Sequence, residues 1–303
     1  MATTVISYIN LATSIANVSG SFEADAPLSN ILTPRLGQKA IRLSGDTYFE
    51  VYFGSGSPTR LADISLIALL GHNILQIDGI LNIDIRCAME DGSQIISVGF
   101  DPASLGVNPS DGTFQSHLIW YVPNTDATIL QKKCEFVSVA ITFADVICGT
   151  KNPYTGEIES APLEIGGIWI GPVFKPEHGI SISGFSSGIA DNSQVVRSIG
   201  GQVWAEPEIR QRVMKVNFAG LTEDEVFALA PRQCLQQLSA HCGVSRPLIV
   251  IPTTSDDELM YTQGVYGYLS APATWELQEK TKDASTGQMV RLYTGALEVL
   301  EAR

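Results

Sequence analysis

Short apolar segments that alternate with polar positions recur along the chain from residue 40 onward. Four to eight residues rich in β-branched and aromatic side chains lie between clusters of Gly, Pro, Asn and Asp, which is typical of strands joined by turns. In LNIDIRCAM (81–89) the odd positions are apolar and positions 82, 84 and 86 are polar, as in a strand with one buried face. About eight such segments predict a β-sandwich, of which a jelly roll is one closed form. They are AIRL, TYFEVYF, ISLIALL, LNIDIRCAM, QIISVGF, HLIWYV, CEFVSVAITF and LEIGGIWIG.

The pattern becomes helical in LTEDEVFALAPRQCLQQLSAHCG (221–243). Thr222 is the predicted N-cap, and Glu225 three residues later completes a capping box. Apolar positions 227, 230, 234, 238 and 242 form one stripe, and Gly243 predicts the helix end. Pro231 predicts a kink or a break into two short helices. RPLIVIP, GVYGYLS and MVRLYTGALEVLE are predicted strands, so the C-terminal part is predicted to be α+β.

A segment of different composition separates these two parts. Residues 175–194 read KPEHGISISGFSSGIADNSQ and are rich in Gly and Ser. Few of their side chains are large and apolar, which is typical of a connecting arm. We therefore expect a β-sandwich over 1–175, an arm over 176–205 and a smaller α+β domain over 206–303.

Composition narrows the classes of partner. The 303 residues carry a formal net charge of −13 and only 17% charged residues. Such a field repels phosphate backbones and anionic membrane surfaces, so nucleic acid is not an expected partner. The apolar runs are much shorter than the ~20 residues of a membrane-spanning helix, and the N-terminus lacks a secretory layout, so we expect synthesis in a cytoplasm. Five scattered Cys without a CxxC pair predict reduced thiols.

A serine-hydrolase site is the sharpest catalytic hypothesis. GFSSG (184–188) matches G-x-S-x-G, and Asp224 and His241 follow Ser186 in the hydrolase order. The serine of that motif must stand between a strand and a helix, yet IADNSQ follows, with Asp, Asn and Ser where the helix should begin. We therefore expect a protein that is not an enzyme.

The histidines give a weak case for a metal or a base. His72, His117, His178 and His241 show no HExxH or HxH spacing, so no metal site is expected. His72 ends the run LADISLIALLGHNI, where it could bind a sugar or act as a base. A turn histidine whose ring accepts hydrogen bonds from the backbone is the favoured interpretation.

The remaining motifs predict no cofactor. GSGSPT (54–59) is too short for a phosphate-binding loop, GGQ (200–202) is a lone tripeptide, and the acidic run at 256–258 is typical of a solvated loop. Trp120 and Tyr121 could offer a stacking surface for a sugar. Because neighbouring strand residues face opposite sides, one of the two is expected in the core.

Several segments together resemble a known family. Residues 1–175 resemble the galactose-binding-like, discoidin-type jelly roll of tailed-phage and prophage proteins, and the second half is similar to the C-terminal region of phage tail-tip and baseplate proteins. The segments of the first half are NLATSIANVSGSF, APLSNILTP, IALLGHNI, the EDGS turn, CEFVSVAITF and LEIGGIWIGP. Those of the second half are IGPVFKP, GGQVWAEPEIRQRVMKVNFAGLTEDEVFAL, PLIVIP and YGYLSAPATWEL.

The resemblance implies a structural protein of the virion tail. It would form a ring of three or six copies around the tail axis and contact other tail and baseplate proteins, with residues 179–201, including Phe185 and Ile189, and the helix at 222–242 as interface elements. The alternative is a carbohydrate-binding protein for host adsorption. The predicted loops show no obvious cluster of exposed aromatic and basic residues, which separates the chain from sugar-binding discoidin domains.

Overall fold

The chain forms two compact units in the computed structural model. The sandwich unit comprises Ile9–Val173 and Thr254–Gly264, and the α+β unit comprises Met1–Tyr8, Phe174–Thr253 and Val265–Arg303. The structure describes residues 4–33, 35–43, 48–53, 64–89, 92–100, 117–122, 136–151, 155–177, 180–190, 194–197, 203–206, 211–227, 233–253, 263–282 and 289–302.

Strands dominate the described residues, as the sequence predicts. They are, in chain order, β1 Val5–Ser7, β2 Ala16–Ser19, β3 Ala40–Ile41, β4 Tyr48–Phe53, β5 Leu66–Leu70, β6 Ile74–Met89, β7 Gly92–Phe100, β8 His117–Tyr121, β9 Phe136–Lys151, β10 Ile158–Ser160, β11 Glu164–Ile165, β12 Gly167–Gly171, β13 Ile180–Ala190, β14 Gln194–Arg197, β15 Val203–Glu206, β16 Gln211–Leu221, β17 Leu248–Ile251, β18 Val265–Leu269, β19 Thr274–Lys282 and β20 Met289–Glu301. The helices are α1 Ala12–Ile15, α2 Glu223–Phe227 and α3 Leu235–Cys242, with a 3₁₀ helix at Leu28–Leu32.

Two antiparallel sheets enclose the core of the sandwich unit. One has the order β2-β4-β9-β6-β7, with β10 on β9, and the other has the order β12-β5-β8. Fully buried side chains from both sheets form one apolar cluster, for example Phe49, Ile83 and Ile141 with Ile67 and Trp120. The apolar faces of the two sheets pack against each other, which confirms the predicted β-sandwich.

The alternation along single strands explains the sheet faces. In β6, Leu81, Ile83 and Ile85 are buried, whereas positions 82 and 84 are half-buried and 86 is exposed. Positions 49, 51 and 53 of β4 are likewise buried. The alternation predicted for 81–86 is confirmed, and it leaves a polar face on the other side of the sheet.

The α+β unit is built on a seven-stranded antiparallel sheet. Its order is β1-β17-β18-β20-β16-β13, and β19 also pairs with β20. Met214, Val216 and Phe218 of β16 are buried on one face, together with Leu297 and Val299 of the neighbouring β20. The predicted α+β class of the C-terminal part is confirmed.

The capping box predicted at the start of the helical segment is present. The backbone N–H of Thr222 donates to Glu225 Oε2 at 2.7 Å, and the N–H of Glu225 donates to Thr222 Oγ1 at 3.4 Å. The segment forms two short helices, α2 and α3, and the described residues 233 and 234 between them are not helical, so the predicted break is confirmed. α3 ends at Gly243, whose φ of +50° suits glycine.

Contacts between distant residues hold α3 in place. The N–H of Cys234 donates to the Tyr8 hydroxyl at 3.3 Å, and that hydroxyl donates to Gln237 Oε1 at 3.4 Å. Cys234 caps the helix, since its Sγ accepts from the Gln237 N–H. The described cysteines 148, 234 and 242 are not in disulfides, and burial raises the pKa of the Cys242 thiol to about 12.

The compact units do not coincide with the boundaries expected from the sequence. β1, in the expected N-terminal domain, pairs with β17, so Val5 lies opposite Ile251. Most of the expected arm is a hairpin, because β13 pairs with β16 and β14 pairs with β15. Pairing between these strands supplies the order, and the Ser- and Gly-rich sequence of β13 does not indicate it.

Candidate functional site

Three adjacent strands of the sandwich unit carry a mainly polar face on the side away from the core. On the central strand of this face Ser138 and Ala140 are buried, whereas Tyr48 and Arg86 on the flanking strands are exposed. Residues paired across antiparallel strands lie on the same face, so the register places the outward side chains of β4, β9 and β6 in three rows. We call this set the outer-face patch. The rows are Tyr48, Thr142 and Asn82; Glu50, Ala140 and Asp84; and Tyr52, Ser138 and Arg86.

A carboxylate is fixed at the middle of this patch. Glu50 has 15% of its side chain exposed, and the Ser138 hydroxyl donates to its Oε1. The same oxygen lies 3.6 Å from Arg86 Nη1. A carboxylate with a hydroxyl donor and a cation beside it keeps one orientation, whereas a carboxylate on an ordinary solvated face rotates freely.

Two tyrosines flank that carboxylate on the same strand. Tyr48 is 53% exposed, and Tyr52 is half-buried. They are four residues apart on β4, which is about 13 Å at the rise of an antiparallel strand. Each phenol combines an apolar ring with a hydroxyl, a combination that suits partly wet contacts.

The third strand adds further polar groups. Asn82 Nδ2 donates to Asp84 Oδ1 at 3.2 Å, and both side chains are half-buried. With Glu50 and Arg86, the patch offers carboxylate acceptors and guanidinium donors within three strands. Such a surface can bind a neutral ligand that carries many hydroxyl groups.

His72 occupies a structural corner, as the favoured interpretation predicted. It follows Gly71, whose φ is +62°, and its Nδ1 accepts from the Ile74 N–H at 3.1 Å. The ring is buried, and burial, with smaller contributions from His117 and Lys39, lowers the pKa of His72 to about 3. His72 therefore stays neutral near pH 7 and holds the turn.

The residues around His72 fix the same corner. The Gly71 N–H donates to His117 Nδ1 at 3.2 Å. Asn73 accepts from the Glu164 N–H through Oδ1 at 2.9 Å and donates to the Pro162 carbonyl at 2.8 Å. These side-chain hydrogen bonds join the turn at 71–73 to β8 and to residues 162–164.

The nucleophile elbow proposed for Ser186 is not formed. Ser186 lies within β13 and pairs with Lys215 of β16, and the strand continues to Ala190, so the strand-to-helix turn of the motif is not present at Ser186. His241 lies at the end of α3, where its ring centroid is 6.0 Å from that of Tyr8. Among the residues the structure describes, no group of three or more His, Cys, Asp or Glu side chains could hold a metal ion.

Trp120 belongs to the core and cannot be a sugar platform. It is fully buried, whereas the adjacent Tyr121 is half-buried, which confirms that one of the pair is interior. His178, GSGSPT at 54–59, GGQ at 200–202 and the acidic run at 256–258 lie outside the described residues. Within the described part of the chain, no helix is long and apolar enough to cross a membrane.

Known proteins resemble this chain only at low sequence identity and low TM-score. No protein-family model and no curated protein matches the sequence. A CBM32 module produced by Clostridium perfringens, in complex with GlcNAc-α-1,4-galactose, is 16% identical, with a TM-score of 0.31 over 54% of this chain and 93% of that chain.

Two further solved structures match to a similar extent. Chitosan-binding module 1 of a chitosanase/glucanase from Paenibacillus sp. IK-5 is 11% identical, with a TM-score of 0.32 over 54% of this chain and 98% of that chain. Reduced XRCC1 bound to the catalytic domain of DNA polymerase β is 10% identical, with a TM-score of 0.32 over 54% of this chain and 99% of that chain. At these TM-scores the similarity carries no argument about function.

Proposed function

We propose that the chain is a recognition protein without catalytic activity, and that its sandwich unit binds carbohydrate through the outer-face patch. The observation that carries this proposal is the fixed Glu50 carboxylate, held by Ser138 and Arg86 between two tyrosines of β4. This is the alternative that the sequence leaves open, with Trp120 replaced by the exposed Tyr48 and the half-buried Tyr52.

The chemistry of the patch suits a sugar. The ring faces of a sugar are apolar enough to stack on a phenol, as Tyr48 and Tyr52 allow. Its hydroxyls can donate to the Glu50 and Asp84 carboxylates and accept from Arg86. A few polar groups in fixed orientations beside apolar contacts are the usual composition of a small-molecule site.

The dimensions favour a chain of sugars over a single ring. The two tyrosines are about 13 Å apart along β4, which exceeds the width of one hexose ring. An oligosaccharide lying along the strand would contact both phenols and pass the carboxylate between them. The proposed ligand is therefore a neutral or weakly basic surface glycan.

The test is a titration of the full chain with a panel of oligosaccharides. GlcNAc-α-1,4-galactose, the ligand of the C. perfringens module, and short chitosan oligomers are suitable first probes. We expect the double variant Tyr48→Ala/Tyr52→Ala to bind roughly 10- to 100-fold more weakly, about 1 kcal/mol for each ring. Tyr121→Ala, a half-buried tyrosine on the other sheet, is the matched control and should bind like the wild type.

The result that would overturn this proposal is equally specific. Equal loss in the control and in the double variant would mean that the patch is not the binding surface. No binding across a broad glycan array would remove carbohydrate recognition. Glu50→Gln keeps the size of the side chain and removes its charge. Weaker glycan binding by this variant would show that the charge of Glu50 contributes to affinity, and unchanged binding would show that only its packing does.

A place in a phage virion is the finer part of this proposal, and it is supported by the sequence resemblance alone. A tail protein that binds a cell-surface glycan would serve host adsorption. Mass spectrometry of purified particles from a host that carries the gene would detect the chain at tail stoichiometry. Its absence from the particles would reject the virion location.

Assembly is the second candidate function, and one observation favours it. Phe185 and Ile189 are exposed on the terminal strand of the seven-stranded sheet. The sequence predicts residues 179–201 as an interface in a ring of three or six copies. The predicted role of the 222–242 helix has less support, because Val226, Leu238 and Cys242 are buried within their own unit.

A further inference from the structure

The last strand of the seven-stranded sheet has the composition of a pairing surface. Within the described residues, β13 pairs with β16 on one side and ends the sheet. Its sequence, ISISGFSSGIA, contains neither a charged residue nor a proline. Proteins usually protect such edges with charges, prolines, β-bulges or short strands. β13 has eleven residues without charge or proline, and its one register shift lies between Ile180 and Phe185, so residues 185–190 form a regular edge.

The side of β13 that continues the core is partly uncovered. Phe185 lies opposite Val216 and Ser187 lies opposite Met214, so these residues share the face of the buried β16 side chains. Phe185 is nevertheless 36% exposed and Ile189 is 64% exposed. At Phe185 the apolar surface thus extends from the buried Val216 to the edge, and Ile189, which lies opposite Arg212, adds a second exposed apolar side chain that an added strand would cover.

The exposed residues are arranged symmetrically along β13. Phe185 and Ile189 each lie two residues from Ser187 and on the same face. If a second copy of β13 ran antiparallel with Ser187 opposite Ser187, each Phe185 would lie opposite Ile189 of the other copy. An aromatic residue opposite a β-branched residue is a favourable cross-strand pair. In the regularly paired part of β13, the alternate face carries Gly184, Ser186, Gly188 and Ala190, which leave room for a close neighbour.

We propose that β13 pairs with β13 of a second copy of this chain, with Ser187 on the two-fold axis. Such an interface uses the same surface of both copies and closes at two chains, unlike the head-to-tail contacts of a ring. The proposal is independent of carbohydrate binding, because it uses only the α+β unit. Failure of either proposal leaves the other unchanged.

A cysteine on the predicted axis gives the sharpest test. Directly opposed residues of antiparallel strands have Cα atoms about 4.5–5.5 Å apart, within the range for a disulfide. Under mild oxidation, Ser187→Cys should form a covalent dimer of the full chain. Ser186→Cys is the matched control, because this exposed serine would lie opposite Gly188 and diagonal to its own copy.

The native mass completes the test. Sedimentation of the wild type should show a species of twice 32.6 kDa. Ile189→Lys places a charge opposite Phe185 twice in each dimer and should weaken dimerisation about tenfold or more. Because Ile189 is exposed, the circular dichroism spectrum of the variant should match that of the wild type.

Three outcomes would overturn the two-fold pairing. A wild-type chain that stays monomeric, with no crosslink at position 187, would reject it. Equal or better crosslinking of Ser186→Cys would reject the predicted register. A species of three or six chains that is unaffected by Ile189→Lys would reject β13 as the contact and support a ring through another surface.

Discussion

The two edges of the seven-stranded sheet in the α+β unit differ in how they end. At one edge, Ile6 of β1 exchanges two backbone hydrogen bonds with Phe174, at 2.9 and 2.7 Å, and all three β1 residues are buried. At the other edge, residues 185–189 of β13 are exposed and lack such a neighbour within the described residues. Neither β1 nor β13 contains a charged residue, so composition does not distinguish the two edges. They differ because a neighbouring segment covers β1, which we call the closed edge, whereas residues 185–189 of β13, the open edge, are exposed.

The largest expected effect separates the two edges by stability. Ile6→Ala removes fully buried methyl groups and should lower the free energy of unfolding by about 3 kcal/mol. Ile189→Ala, made in the exposed strand, should change it by less than about 0.5 kcal/mol under monomeric conditions. Urea unfolding of both variants measures the difference. Equal losses would contradict the assignment of β13 as the open edge.

A smaller effect is expected from the ion pair beside the open edge. Arg212 lies opposite Ile189 on the neighbouring strand β16. Its Nη2 atom lies 2.6 Å from Oε1 of Glu301, whose side chain is 2% exposed. Arg212→Ala would leave that carboxylate nearly buried without its cation, at a cost of about 2 kcal/mol, reduced from the fully buried case because Arg212 is partly solvated. Thermal unfolding measures this loss. The control variant Arg212→Lys keeps a cation, so its melting temperature should lie between those of Arg212→Ala and the wild type. An unchanged melting temperature would mean that water replaces the arginine.

The smallest effect is expected at Tyr8, the residue that follows β1. Tyr8→Phe removes the acceptor of the buried Cys234 N–H and should cost about 1 kcal/mol. Alkylation of Cys242, whose thiol pKa is raised to about 12 by burial, should be slow at pH 8 in the wild type and faster in this variant. A labelling rate equal to that of the wild type would show that the hydroxyl does not hold α3.

Local patterns predicted the parts of the fold that local physics decides. The period of two in 81–86 gave the buried face of β6, and Thr222 with Glu225 gave the capping box, because both signals lie within a few residues. The pairing of β13 with β16 was missed because the Gly- and Ser-rich sequence of β13 has few of the β-branched and aromatic residues that indicate a strand. β13 is ordered by β16, which itself pairs with β20.

The outer-face patch was missed for the same reason. Its residues come from three segments of the chain, around positions 50, 84 and 140, and only the register of the sheet brings them together. One signal was present in YFEVYF, where two tyrosines and a glutamate alternate with residues of the core. A search for polar and aromatic residues at alternate strand positions would have identified β4 as a candidate.

The pairing of β1 with β17 also constrains the order of events during synthesis. Ile6 lies opposite Val250, so β1 must wait for more than two hundred further residues to be translated before its partner exists. Closing a loop of that length is slow, and contacts so distant in sequence raise the contact order of the α+β unit. The sandwich unit, whose main sheets are completed by residue 171, can collapse earlier on the ribosome. The early strand would meanwhile be an exposed apolar segment that a chaperone can hold.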